Sequence, residues 1–226
     1  MGMRAYAARR FPMKTPEFAA FGPSDLQHTE NVSRETLARL KAYVDLLTDW
    51  NARHNLVSAS SLADVWRRHI LDSIQLGALI PDTARSLVDL GSGAGFPGLI
   101  LAILFEARTG FRTVLCEATR KKCEFLAAAA ARTGVHVEIR NTRIEDAKPE
   151  PFDVVTARAL APLDKLLRYA HSFQGPKTLN LFLKGQSVVA ELALAHKSWK
   201  MKVVQHSSRS DRSGVILAIR ELRHVA

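Results

Sequence analysis

The chain has 226 residues, 47% of them apolar, enough to bury the core of one α/β domain with an appendage. No apolar run approaches the ~20 residues that span a bilayer, and two cysteines, Cys116 and Cys123, exclude a disulfide framework and suit a reducing cytoplasm. Thirty-two Lys and Arg against 22 Asp and Glu leave a formal charge of +10, which points to a polyanionic partner, nucleic acid above all.

Residues 1–30 carry Arg4, Arg9, Arg10 and Lys14 with no acid before Glu17, and their prolines break any periodicity, so they read as a basic, flexible arm and loop. Residues 31–82 read as a helical extension. Ser33 can cap a helix whose Leu37, Leu40, Val44 and Leu47 share one face, ending near Trp50. Ser61-Leu62-Ala63-Asp64 reads as a capping box that opens a second helix running to Ile80, where Pro81 stops it. On this helix His69 and Asp72 are three apart and so share a face. They form either an ordinary surface hydrogen bond or a polar cluster turned toward the glycine-rich turn that follows. No second His or Cys stands beside them, so no metal site is expected.

From residue 83 the pattern alternates. Strands are predicted at 87–90, 113–117, 135–139, 152–156 and 178–183, with helices at 97–105, 119–132, 163–173 and 188–199 between or after them. Short apolar runs alternating with amphipathic helices imply a doubly wound α/β fold with a parallel, Rossmann-like sheet. The tail differs. Strands at 202–205 and 215–219 are joined by a Ser- and Arg-rich loop without a helix, so the seven-stranded sheet ends in an antiparallel hairpin. That hairpin separates the class I methyltransferase sheet from an ordinary dinucleotide fold.

The chemistry is concentrated in Asp89-Leu90-Gly91-Ser92-Gly93-Ala94-Gly95-Phe96-Pro97-Gly98. Strand, tight turn and helix follow one another here, with bare backbone at the turn able to approach a ligand. Two patterns overlap. Gly93, Gly95 and Gly98 spell the dinucleotide fingerprint, which alone is a weak signal. Asp89 followed by Gly91, Gly93 and Gly95 spells the S-adenosylmethionine pattern, in which an acid at the strand end can serve an ammonium. Glu117 lies twenty-two residues after Gly95, where an acid accepts from both ribose hydroxyls of either cofactor. Ile144 and Glu145 fall in the loop where an adenine would lie. Arg158 ends the fourth strand and Lys184 the fifth, two cations on the crevice rim that can grip a base edge, a phosphate or a carboxylate. A structural helix-surface pair at His69 and Asp72, and a solvent-facing acid at Glu145, stand beside the functional readings of those residues.

The glycine-rich run, together with Arg68-His69-Ile70-Leu71-Asp72-Ser73, Asn55-Leu56, Arg158-Ala159 and Leu183-Lys184-Gly185, closely resembles the bacterial RsmG family, also called glucose-inhibited division protein B, over roughly residues 33 to 222. The resemblance implies a class I methyltransferase with an N-terminal helical extension, acting in the cytoplasm as a monomer. It implies S-adenosylmethionine as cofactor and N7 of guanine 527, in the 530 loop of 16S rRNA, as target, carried by naked rRNA or the small ribosomal subunit. It places cofactor contacts on Gly91, Phe96, Ile144, Glu145 and Arg158, with Arg158, His69, Asp72 and Lys184 as candidates for positioning the substrate. One departure is Ile100, where the family often has a second proline. The basic arm lies outside the match. On the residues alone, a nicotinamide-linked oxidoreductase and a non-catalytic RNA-binding module remain the alternatives.

Overall fold

The structure, a computed structural model, describes residues 21–225. Residues 1–20, most of the expected arm, lie outside the described residues. The remainder of that stretch, expected as loop, is helical: α1 spans Pro23–Glu30. Pro23 is tolerated in its first turn, the Asp25 carboxylate accepts from the Gly22 N–H, and Leu26 is fully buried, so one apolar anchor and a local cap outweigh the prolines.

The long amphipathic helix α2 spans Arg34–His54, with Thr36 N–H donating to Ser33 Oγ as the spacing predicts. Leu40, Tyr43 and Leu47 are fully buried on its inner face. The second expected helix is different. Ser58, not Ser61, caps a short α3 at Ala59–Leu62. Ser61 is turned inward and donates to the Ser58 carbonyl, and Asp64 pairs with Arg67 instead of capping. The chain then winds as a π-helical turn at Trp66–Leu71, a short α4 at Asp72–Ile74, and a 3₁₀ segment at Gln75–Leu79. A π-turn shifts the phase of everything after it and is often found at functional sites.

Seven strands form one sheet in the order β3-β2-β1-β4-β5-β7-β6. They are β1 Ser86–Leu90, β2 Arg112–Glu117, β3 Glu138–Asn141, β4 Phe152–Arg158, β5 Gln174–Lys184, β6 Trp199–Ser207 and β7 Val215–His224. The first five are parallel, and β7 runs antiparallel to both β5 and β6, giving the predicted terminal hairpin. Helices α5 Gly98–Leu104, α6 Arg120–Thr133, α7 Leu163–His171 and α8 Val188–Ala195 cover the faces.

Two boundaries moved for a physical reason. Val135 was expected to open the third strand, but it folds back behind left-handed Gly134, donates its N–H to Ala130 O and buries its side chain, closing α6. Trp199 was expected in the last helix. It instead begins β6, buried, with its indole N–H donating to Asp164 Oδ1 at 3.0 Å.

The helical extension shares a core with the sheet. Leu26, Leu40, Tyr43, Leu47 and Ile70 pack with Phe96, Ile100 and Phe125 from the strand–helix units in a single apolar cluster. The opposite face is a second cluster, with Leu167, Phe173, Phe182, Trp199 and Leu217 among its members.

Candidate functional site

The parallel strands end on one edge, and the turn after β1 is built there. Ser92 N–H and Gly91 N–H both donate to Cys116 O of β2, which pins the turn to the neighbouring strand. Gly91, Gly93 and Gly95 all have φ in the left-handed region, at 69°, 57° and 99°. Their surroundings separate their roles. A Cβ on Gly91 would come within 2.6 Å of Leu160, one on Gly95 within 2.9 Å of Leu99, and one on Gly98 within 2.4 Å of Asp89, so these glycines allow the protein to pack on itself. At Gly93 the nearest neighbour is a backbone oxygen at 3.9 Å, so its bare face looks outward. Gly93 N–H donates to Glu117 Oε2 at 2.9 Å, and Thr119 N–H to Glu117 Oε1 at 2.7 Å, so the acid at the end of β2 is locked against the open glycine.

Asp89 lies beneath the turn and is fully buried. Its Oδ2 accepts from Gly98 N–H at 3.2 Å and its Oδ1 from Thr156 Oγ at 2.8 Å, and burial pushes its carboxyl up to about 6. Phe96 is likewise turned inward. Its ring stacks on His69 with centroids 4.5 Å apart and meets Tyr43 edge-on at 5.6 Å, which leaves only its backbone to face a ligand. Ile144 and Glu145 stand in a 3₁₀ turn between β3 and β4, with Ile144 partly buried and Glu145 exposed. Tyr169 OH donates to Glu145 at 2.5 Å, and this bond holds the Glu145 carboxyl below its ordinary range.

Arg158 ends β4 and gathers the polar cluster that the π-helical turn presents. Its Nη2 donates to His69 Nδ1 at 2.5 Å, and its Nη1 lies 3.2 Å from Asp72 Oδ2, an ion pair off the hydrogen-bonding line. Its guanidinium also stands over the Phe96 ring, 5.5 Å from the centroid. His69 is therefore neutral: burial and then Arg158 push it down to about 3, and with Nδ1 accepting, Nε2 carries the proton and is buried without a partner. Burial pushes Asp72 up and Arg158 down, outweighing their mutual attraction. Asp72 Oδ1 accepts from Ser210 Oγ at 2.5 Å and Gln75 Nε2 at 3.1 Å, which ties the β6–β7 loop to the helical extension. Lys184, at the end of β5, donates to Ala161 O at 3.1 Å and to Glu191 Oε2 at 2.6 Å.

Beside this cluster opens a cavity of about 770 Å³, walled by the π-turn, the ends of β4 and β5, and the β6–β7 loop. Arg158, Asp72 and Lys184 line it; the glycine-rich turn and Glu117 do not. Arg158 thus stands between two places, the turn on one side and the cavity on the other. Among the described residues, no three His, Cys, Asp or Glu side chains gather as a metal site.

Several members of the site carried no signal in the sequence. Tyr43 reads as core from its helical spacing, yet its OH donates to Ala94 O of the turn at 2.5 Å. Thr156 reads as an ordinary strand residue, and Ser210 lies 138 positions from Asp72, so only the fold brings the two together.

A family model described as GidB, rRNA small subunit methyltransferase G, matches residues 36–217. The chain is 49% identical over 194 residues to a protein of Parvibaculum lavamentivorans named ribosomal RNA small subunit methyltransferase G, covering 85% of this chain and 86% of that one. It is 48% identical over 203 residues to the protein of the same name from Paramagnetospirillum magneticum, covering 89% and 96%. Among solved structures, an O-methyltransferase from Bacillus cereus in complex with SAH superposes with a TM-score of 0.55 at 17% identity, over 87% of this chain and 96% of that one. A ribosomal protein L11 methylase from Lactobacillus delbrueckii superposes at 0.52 with 21% identity, over 66% and 76%.

Proposed function

This chain belongs to the family of rRNA small subunit methyltransferase G, and from that premise we propose that it transfers the methyl group of S-adenosylmethionine to N7 of guanine 527 in the 530 loop of 16S rRNA. The observation that carries the proposal is the pairing of Gly93 with Glu117. An open, left-handed glycine stands against a carboxylate whose two oxygens, after accepting from Gly93 and Thr119, each keep a lone pair for a ribose hydroxyl. The donor set therefore fits a nucleoside-bearing cofactor. Ile144 would cover the adenine, Gly91 and Phe96 would offer backbone groups, and Glu145 would stand at the rim. Asp89 would act from below, holding Gly98 and thereby the shape of the turn.

S-adenosylmethionine, when bound, supplies a methyl carbon made electrophilic by its sulfonium. Guanine N7 has an in-plane lone pair and no proton to lose, so the chain needs no general base. That agrees with a neutral His69, whose Nδ1 is already taken by Arg158. The residues act by orientation and by excluding water. Arg158, fixed by His69, Asp72 and the Phe96 face, would align the base, with Lys184 as a second, fixed cation at the rim. The purine gains positive charge as N7 is methylated, and the Asp72 carboxylate, the acid of this cluster, would help to offset it.

Labelled-methyl transfer to unmethylated 16S rRNA and to small subunits, with the modified nucleotide mapped by primer extension, tests the reaction. Calorimetry with S-adenosylmethionine against NADH tests the cofactor, and tight NADH binding without S-adenosylmethionine binding overturns the proposal. Arg158→Ala is expected to abolish transfer while the cooperative unfolding transition survives; unchanged turnover refutes its role.

A further inference from the structure

The 770 Å³ cavity is within the size range of ligand sites, and its charges are unevenly committed. Every carboxylate on its wall is already held from within. Asp64 pairs with Arg67, Asp72 with Arg158 and Ser210, and Glu191 with Lys184 and Ser187. Asp211 accepts from the Ser213 N–H and hydroxyl, both at 2.8 Å. Arg68 also lines the cavity, yet among the described residues its side chain makes no hydrogen bond or ion pair. It is close enough to Arg158 to disfavour the positive charge there, but whereas Arg158 has Asp72 as its ion-pair partner, Arg68 has only the field of Asp211, a carboxylate already bonded to Ser213. A guanidinium without an ion pair, facing a cavity whose acids are all engaged by other groups, is placed to take an anion supplied from outside.

Ala159 and Gly185 line the same space with little or no side chain. Ala159, directly after Arg158, is held at φ 51°, in the left-handed region that disfavours a side chain, and a Cβ on Gly185 would meet nothing within 4 Å. Ser60, Ser208 and Ser213 add hydroxyl groups around the same space.

We infer that this cavity receives one phosphate-bearing nucleotide of single-stranded RNA, with Arg68 contacting its phosphate and the β6–β7 loop forming the outer wall. The inference rests on the proposed rRNA methylation for its choice of RNA, and it assigns to Arg68 a substrate contact that is separate from the cofactor turn. A phosphate contact contributes affinity without reading the base, and it shows in the salt dependence of binding.

The test is fluorescence anisotropy with a short labelled single-stranded RNA, titrated at several salt concentrations against the wild-type chain, Arg68→Gln, and Arg132→Gln, which removes the same charge from α6 away from the cavity. Arg68→Gln is expected to weaken RNA binding about five- to tenfold at low salt, and to reduce the slope of log affinity against log salt by about 0.7, the value of one single-strand phosphate contact. Arg132→Gln is expected to change neither, and calorimetry should show S-adenosylmethionine binding untouched in both variants. Wild-type affinity and slope in Arg68→Gln, an equal loss in Arg132→Gln, or weakened cofactor binding in Arg68→Gln would each overturn the inference, as would a wild-type chain that does not bind the RNA. The readout is binding, so failure of methyl transfer to guanine N7 in the wild type would reject the proposed reaction while leaving the Arg68 result standing.

Discussion

Asp89 and Glu117 end adjacent strands in the same sheet, and their surroundings give them opposite work. Each accepts one protein hydrogen bond per oxygen, but Glu117 stands beside the open glycine, whereas Asp89 is fully buried beneath the turn. Burial raises the Asp89 carboxyl from 3.8 to about 6, so the fold favours its protonated form more than the unfolded chain does. The stability linked to this group is therefore fully present below about pH 3.8 and is lost as pH rises through about 6, a swing on the order of 3 kcal/mol at most. Asp89→Asn removes the titration. The melting temperature of the wild type relative to that variant should climb as pH is lowered from 7 to 4; parallel curves across this range would show that Asp89 does not titrate there. His69 lies further from titration, since its neutral form is favoured down to about pH 3.

At the scale of elements, the helical extension reaches into the glycine-rich turn through side chains that look like core. Tyr43 on α2 donates to Ala94 O, and its ring meets Phe96 edge-on, while His69 from the π-helical turn stacks on the Phe96 ring itself. The turn is thus held from two helical segments as well as from β2. Tyr43→Phe keeps the ring and leaves a buried carbonyl without its donor, which costs about 1–3 kcal/mol. If the bond positions the turn, S-adenosylmethionine affinity measured by calorimetry should fall several-fold while RNA binding holds. A lower melting temperature with an unchanged cofactor Kd would instead assign the bond to folding alone. On the other side, the β6–β7 loop is latched to the extension through Ser210 and Asp72, Arg209 N–H and Gln75, and the Arg209–Glu30 ion pair.

For the molecule as a whole, we propose from these contacts that the extension and the methyltransferase sheet form one unit. Leu40, Tyr43, Leu47 and Ile70 fill one cluster with Phe96, Ile100 and Phe125. A chain beginning at Thr83 would leave that face bare, a large apolar patch on a surface. Such a fragment should aggregate on size-exclusion chromatography, and a soluble fragment with a cooperative unfolding transition would show the two parts to be separable. The net charge of +10 is distributed unevenly in effect. Arg112 and Arg140 are neutralised by Glu138 and Glu150 at the β2–β3 edge, whereas Arg68 at the cavity has no ion pair among the described residues.

Local features of the chain were enough for the alternation of strand and helix, the terminal hairpin and the glycine-rich turn, because period, glycine spacing and strand-end acids are properties of neighbouring residues. Even the cap at Ser33 and the shared face of His69 and Asp72 are of this kind. Which glycine faces outward could not be read this way, since Gly91, Gly93, Gly95 and Gly98 look alike until Leu160, Leu99 and Asp89 close around all but one. The inward Asp89, the part played by Tyr43 and the place of Arg68 on the cavity wall depend on groups tens of residues away along the chain. Their positions follow from burial and from the competition of buried polar groups for partners, which only the packed tertiary structure resolves.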